Sequence, residues 1–161
     1  MRYYEANQNY VVILAKGEEL MDCLRQFARE SGVSAAWLQG IGAALEAEVG
    51  YYHLDSQSYQ WKAFSGPLEI TNLQGNIVNL FEPERPQSRR PEPVERVKKQ
   101  GEPALHVHVT MANDTYGCIG GHVKKLTVSA TCEIFVQKIN LALTRQRDTA
   151  VGLELLQPAS E

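Results

Sequence analysis

The 161-residue sequence predicts an α+β fold, a curved and largely antiparallel sheet with one main helix packed on it. Three observations carry this. Apolar residues recur at helical spacing in only one convincing stretch, early in the chain. Most of the rest alternates apolar with polar residues at the two-residue period of a half-buried strand. Short turns containing Gly, Pro, Asn or Asp join those segments directly, without the crossover helices that a repeating βαβ unit needs.

Residues 10 to 15 read as the first strand. A helix follows over about 17 to 31, in which Leu20, Cys23, Leu24, Phe27 and Ala28 share one face and Gly32 supplies the stop. The small residues of 34 to 42, Ser-Ala-Ala-Trp-Leu-Gln-Gly-Ile-Gly, suit a strand passing close to another backbone. Leu45, Ala47, Val49 and Tyr51 then alternate with Glu46, Glu48 and Gly50 in a half-exposed strand reaching about residue 53. Segments 59 to 64, 69 to 80, 104 to 111 and 127 to 137 complete the strands. Residues 82 to 101 break the pattern: four prolines and ten charged residues cannot supply a buried face, so a solvated, mobile loop is expected. No repeat or linker divides the chain, and residues 1 to 161 read as a single domain.

The composition, 43% hydrophobic and 22% charged, is that of a soluble globular protein rather than a disordered one. A net charge of −3 argues against a protein that binds nucleic acid chiefly by neutralising phosphates. Within 82 to 101, Arg85, Arg89, Arg90, Arg96, Lys98 and Lys99 are interleaved with four glutamates and no aromatic residue, which reads as a solvated loop more than a base-stacking surface. The apolar run Val11-Val12-Ile13-Leu14-Ala15 is too short for a signal peptide or a membrane span, so a cytoplasmic location and no membrane partner are expected. Cys23 and Cys132 fall at inward positions and read as small buried hydrophobes.

Three of the four histidines lie close together in sequence, as His106-Val107-His108 and Gly120-Gly121-His122. Strand alternation puts His106 and His108 on one face with Cα atoms roughly 6 to 7 Å apart, within reach of a shared ion. A third histidine behind a Gly-Gly turn could close three sides of a tetrahedron. Three neutral imidazoles leave a divalent ion its full charge and one open position, the pattern of a catalytic rather than a structural zinc site. The competing reading is a set of hydrogen-bonded surface histidines. Cys118, four residues before His122, is either a fourth ligand or a loop cysteine, and His53 is expected at the surface. Glu69 and Glu133 stand in otherwise apolar strands, where an unpaired carboxylate is costly, so each is expected to face a partner. That partner is either the ion site, where a carboxylate orients a ligand or moves a proton, or Arg145 in a structural ion pair.

In order, these motifs resemble the plants and prokaryotes conserved (PPC) domain family, also called DUF296. The likeness covers Gly17-Glu18-Glu19-Leu20, Ala36-Trp37-Leu38-Gln39-Gly40-Ile41-Gly42, Gly66-Pro67-Leu68-Glu69-Ile70, Leu73-Gln74-Gly75-Asn76, Leu105-His106-Val107-His108-Val109, Gly120-Gly121-His122, Ala130-Thr131-Cys132-Glu133, and Arg145 with Asp148. The resemblance implies a homotrimer and a fold shared with α-acetolactate decarboxylase and a related zinc-dependent ester hydrolase, which hold zinc with a His-x-His strand and a third histidine. The matching residues here are His106, His108 and His122. Subunit contacts are expected on sheet surface and the small-residue stretch 34 to 44. In plants the domain follows AT-hooks that bind DNA, but the Arg-Gly-Arg-Pro core of a hook is absent here, so DNA association is expected to be weak or indirect at most. Three functions stand side by side: a metal-binding module for a small molecule or protein partner, a zinc lyase or hydrolase acting on a small carbonyl or carboxylate compound with Glu69, Glu133 or Arg145 as catalytic candidates, and a DNA-binding regulator.

Overall fold

The computed structural model describes residues 1–79 and 102–159. The expected mobile loop at 82–101 lies outside them. In chain order the elements are β1 (Arg2–Ala6), β2 (Asn9–Ala15), α1 (Leu20–Ser31), β3 (Ala35–His53), β4 (Ser58–Asn79), β5 (Pro103–Ala112), β6 (Cys118–Lys138), β7 (Leu143–Asp148) and β8 (Leu153–Pro158). Six strands form one antiparallel sheet in the order β1-β2-β6-β3-β4-β5, and β7 and β8 form a separate hairpin. The beginning of β6 also pairs with β5, so the sheet curls back on itself.

The two strands expected at 34–42 and 45–53 are one, and so are those at 59–64 and 69–80. Bulges explain the first misreading and a Gly-Pro pair the second. In β3 the inward residues are even-numbered at Ala36 and Leu38 and odd-numbered at Ala47 and Val49, with register shifts between Gly40 and Gly42 and between Ala44 and Glu46. An extra residue flips the alternation, and in sequence a phase flip looks like a strand ending. In β4 the inward phase is unbroken from Phe64 through Leu68 to Ile70, and the break expected there came from reading Gly66-Pro67 as a turn; the β4 bulge, between Ile70 and Asn72, falls inside the segment expected as one strand. β1 and the β7–β8 hairpin were not expected. In the same way β6 begins at Cys118 rather than near 127, and the expected Gly-Gly turn at 120–121 is strand.

The helix starts at Leu20 and not near residue 17 because residues 17–19 are committed to β6. Gly17, at φ 86°, donates to the Val128 carbonyl at 2.8 Å, and Val128 donates back to Glu18 at 3.0 Å. Glu19 caps the helix, accepting from the Asp22 amide at 2.7 Å, while its other oxygen accepts from the Leu126 amide at 3.0 Å. Gly32, in the left-handed region at φ 67°, ends it as expected. Leu20, Leu24, Phe27 and Ala28 are fully buried against Leu14, Leu38, Leu73, Ile77, Met111, Leu126 and Ile134. Each large side chain removed from water in this way contributes about 1.5–3 kcal/mol. Tyr3 of β1 and Tyr10 of β2 both meet Phe27 edge-on at 5.2 Å.

Covering one face of the sheet with α1 leaves the other outward. Val11, Trp37, Ile41 and Phe135 lie exposed there. Glu69 and Glu133 are exposed as well and pair with no cation among the described residues, contrary to the expectation of a buried partner. Their apolar sequence neighbours face the core and they do not, so water solvates both carboxylates. The small residues of 34–44 let one strand pass close to another backbone, as expected. Ala35, Ala36 and Ala44 are buried inside the chain, and a Cβ on Gly40 or Gly42 would stand 2.6 Å from the Glu133 carbonyl or 2.4 Å from that of Thr131. They let β3 lie close to β6, leaving Trp37 and Ile41 as the apolar residues of this stretch that face outward. Cys23 and Cys132 are buried as expected, and desolvation pushes their thiols up to about 11 and about 12. No helix among the described residues is long and apolar enough to cross a membrane.

Candidate metal centre

The site forms where the sheet closes. On β5, Val107, Val109 and Met111 point into the core, so His106 and His108 point out. His108 lies directly opposite His122 of β6, and His122 lies opposite Gly50 of β3 on its other side. Partners that face each other across a ladder share a face of the sheet. The three imidazoles therefore converge on the outer surface, over the seam between β5 and β6. A Cβ on Gly120 would stand 2.4 Å from the Val109 carbonyl, so a side chain there would push this seam apart.

Nε2 of His106 lies 3.1 Å from Nε2 of His108, and one coordinating nitrogen from each of the three rings falls within 4.8 Å of the others. The ring centroids are 4.9, 5.1 and 5.4 Å apart. Nitrogens about 2.0–2.1 Å from a tetrahedral ion stand roughly 3.3 Å from one another, so one pair is already close to this spacing and a modest ring adjustment brings in the third. Burial lowers the pKa of all three rings, with further lowering of His106 by His108 and Arg145, and takes His122 down to about 4. Near neutral pH they are unprotonated and their lone pairs are free to coordinate. Nδ1 of His122 is buried with no hydrogen-bond partner among the described residues, a costly condition unless the ring has a further role. The donor set fits a borderline divalent ion such as zinc.

Two other groups complete the surroundings. Tyr59 stacks on Trp61 at 4.7 Å and reaches His122 at 5.1 Å, making an aromatic wall. On the other side stands Arg145, carried by β7. The β7–β8 hairpin is fixed at both ends. Leu143 packs with Ala35 and Val78 at its base, while at its turn the Tyr52 hydroxyl donates to the Val151 carbonyl at 2.8 Å and the Gln57 amide to those of Thr149 and Ala150. Asp148 closes the turn by accepting from the Ala150 and Val151 amides. Arg145 donates through Nη1 to the Glu154 carbonyl at 3.0 Å and through Nη2 to Oδ1 of Asn76 at 2.6 Å, and Asn76 is the ladder partner of His106.

Of the residues singled out in the sequence, the structure thus brings together His106, His108, His122 and Arg145. It does not bring the others. Glu69 is five positions along β4 from Gln74, the partner of His108, or roughly 15 Å at the usual strand rise. Glu133 lines a shallow groove of the outer face with Gln39, Gln74 and Phe135. Cys118 is exposed on β6, roughly 13 Å of strand away from His122, and lies outside the ligand group. His53 is at the surface as expected, hydrogen-bonded to Gln60. Asn76, Tyr59 and Trp61 were not recognised as site residues, because only the pairing of β3, β4 and β6 places them beside the histidines.

Residues 1–140 match the model of the Plants and Prokaryotes Conserved (PCC) domain, and the chain belongs to that family. No curated protein matches it significantly. Among solved structures it is similar to a protein of Ralstonia eutropha JMP134 provisionally described as DNA-binding (26% identity, TM-score 0.80, 98% of this chain and 96% of that one). It is also similar to a metal-containing protein of Archaeoglobus fulgidus (28% identity, TM-score 0.74, 96% of each chain). A Staphylococcus aureus protein of unknown function, itself similar to α-acetolactate decarboxylase, shares the fold at 17% identity and TM-score 0.50, over 85% of this chain and 54% of that one.

Proposed function

We propose that this PPC-domain protein holds one divalent transition-metal ion, with zinc best suited, on His106, His108 and His122, and uses it to bind a small molecule. The observation that carries this is the convergence of three unprotonated imidazoles from two strands, with one coordinating nitrogen each inside 4.8 Å. The metal content of the Archaeoglobus fulgidus relative supports it. A zinc ion bound there supplies a Lewis acid that polarises an oxygen of its ligand. The protein's own groups orient that ligand: Arg145, fixed by Asn76, on one side and the Tyr59–Trp61 wall on the other.

Lyase or hydrolase chemistry additionally needs a group that moves a proton at the ligand. Glu69 and Glu133 are surface residues away from the histidines, so binding stands ahead of catalysis. The provisional DNA-binding description of the Ralstonia relative favours a regulator instead. Against it, the net charge is −3, and segment 82–101 offers six basic against four acidic residues, a small excess that salt would screen. Assembly as a homotrimer through the exposed apolar face is part of the same proposal.

Elemental analysis of untagged protein tests the metal. One equivalent of ion is expected in the native chain and none in His108→Ala, whose circular dichroism remains native because the core does not depend on the ion. Full occupancy in the variant would overturn the ligand assignment.

A further inference from the structure

We infer that the β7–β8 hairpin makes this centre selective for anions, with Arg145 the residue that receives the carboxylate of a small ligand. The inference rests on the metal reading above and adds the class of ligand. Its first ground is charge. Three neutral imidazoles leave a divalent ion at +2, and Arg145 close enough to depress His106 and His122 brings the local total to +3. Among the described residues no carboxylate forms an ion pair with Arg145 and none belongs to the ligand group. Glu154 acts on Arg145 electrostatically, but its side chain is exposed and the hydrogen bond from Arg145 goes to its backbone carbonyl. A partly buried site carrying this much uncompensated positive charge is completed by an anion.

The second ground is the geometry of the guanidinium. Its Nη1 and Nη2 each use one proton on a fixed acceptor, and among the described residues its buried Nε has no partner. An unsatisfied N–H beside remaining Nη protons is one edge of the arginine fork, the arrangement that takes a planar carboxylate with two parallel hydrogen bonds. Arg145 is an expensive residue to hold in this state. Burial lowers its pKa from the ordinary value, and the hairpin that holds it is tied down at both its base and its turn. The remaining wall, Tyr59 on Trp61, is aromatic and suits the uncharged body of the ligand.

The test uses the full chain loaded with cobalt(II), whose visible spectrum reports ligands entering the coordination sphere. Metal content is measured first. Glycolate serves as the carboxylate probe, imidazole as an uncharged metal ligand, and inorganic phosphate as a different oxyanion. Arg145→Gln is expected to keep one equivalent of metal and its affinity for imidazole while weakening glycolate at least tenfold. Asn76→Asp, which sets a negative charge against the guanidinium from the position of its present partner, should weaken glycolate similarly and covers the case in which Arg145→Gln fails to fold. Unchanged glycolate affinity in either metal-loaded variant overturns the inference, and so does equal weakening of imidazole. Phosphate binding the native protein more tightly than glycolate overturns the assignment to carboxylates. A native chain that takes up no metal refutes the metal reading itself, a result visible before any probe is added.

Discussion

Gly120→Ala would damage the metal centre without touching a ligand. A methyl at this position would stand 2.4 Å from the Val109 carbonyl, about 1 Å inside ordinary contact, and the obstacle is backbone that cannot rotate away. The ladder between β5 and β6 has to widen by a comparable amount, and this ladder sets His122 opposite His108. Coordination tolerates only about ±0.2 Å in ligand distance, so metal affinity should fall roughly 10- to 100-fold, as when groups that orient a ligand are lost. Overpacking of this kind costs about 1–3 kcal/mol, offset by the ~0.4–1 kcal/mol that alanine gains over glycine through the unfolded chain. At about 2–4 °C per kcal/mol for a chain of this size, the metal-free melting temperature should drop by several degrees. Gly42→Ala is the control, since its methyl would meet the Thr131 carbonyl, also at 2.4 Å, at a place in the sheet that carries no ligand. Calorimetry of the metal-free proteins should show similar destabilisation in both, while competition with a chromophoric chelator should show weakened metal only in Gly120→Ala. Native affinity in Gly120→Ala, or equal loss in both, would refute the claim that this seam positions the histidines.

The remaining predictions concern pH and assembly. His122 is depressed from 6.5 to about 4, so as pH falls through that window the unfolded chain takes up its proton first, and metal-free protein should lose stability between about 6.5 and 4 with no corresponding loss above 6.5. Carboxylates contribute to any acid loss, so the measurement is the difference in melting temperature against His122→Gln, whose profile should be flatter; parallel profiles would contradict it. Light scattering at micromolar concentration should give three times the 18.0 kDa chain mass, and Ile41→Glu, on the exposed apolar face, should give a smaller species. A monomeric native chain would remove the trimer from the proposal.

The histidine pair on β5 was legible in the sequence because a strand's alternation decides its faces without reference to the rest of the molecule. Val107, Val109 and Met111 identify the core side of β5, so His106 and His108 had to point away from it. The nearness of His122 in sequence added it to the group, and the family resemblance supported all three positions. The same rule, had it been applied to Glu69 and Glu133, would have turned both outward. Apolar sequence neighbours suggested burial, yet those neighbours face the core and the carboxylates face water. Bulges hid the continuity of β3 because the alternation restarts out of phase across them, whereas in β4 the Gly66-Pro67 pair reads as a turn although the strand runs through it. The aromatic wall and Asn76 could not be read at all, since their place beside the histidines depends on pairing over long sequence separations.

Those pairings also join the metal centre to the exposed apolar face. Val11 stands opposite Phe135, Phe135 opposite Gln39, Gln39 opposite Gln74, Gln74 opposite His108 and His108 opposite His122, a continuous row across five strands. The neighbouring row runs from Gln137 through Trp37 and Asn76 to His106. Residues in such rows touch their neighbours on the same face, so a change at the apolar end reaches the histidines through Gln39 and Gln74 or through Asn76. Asn76 holds Arg145 as well, and this places the guanidinium at the end of the row that begins with Trp37 and Gln137. A partner that covers Trp37 and Phe135 would therefore bear on both the ligand set and the anion-receiving arginine. On these grounds Ile41→Glu, if it separates subunits, should weaken glycolate binding at the loaded centre more than it lowers metal content, because the β5–β6 seam holds His108 against His122 independently of the rows, whereas Arg145 donates a hydrogen bond to the row itself, at Asn76.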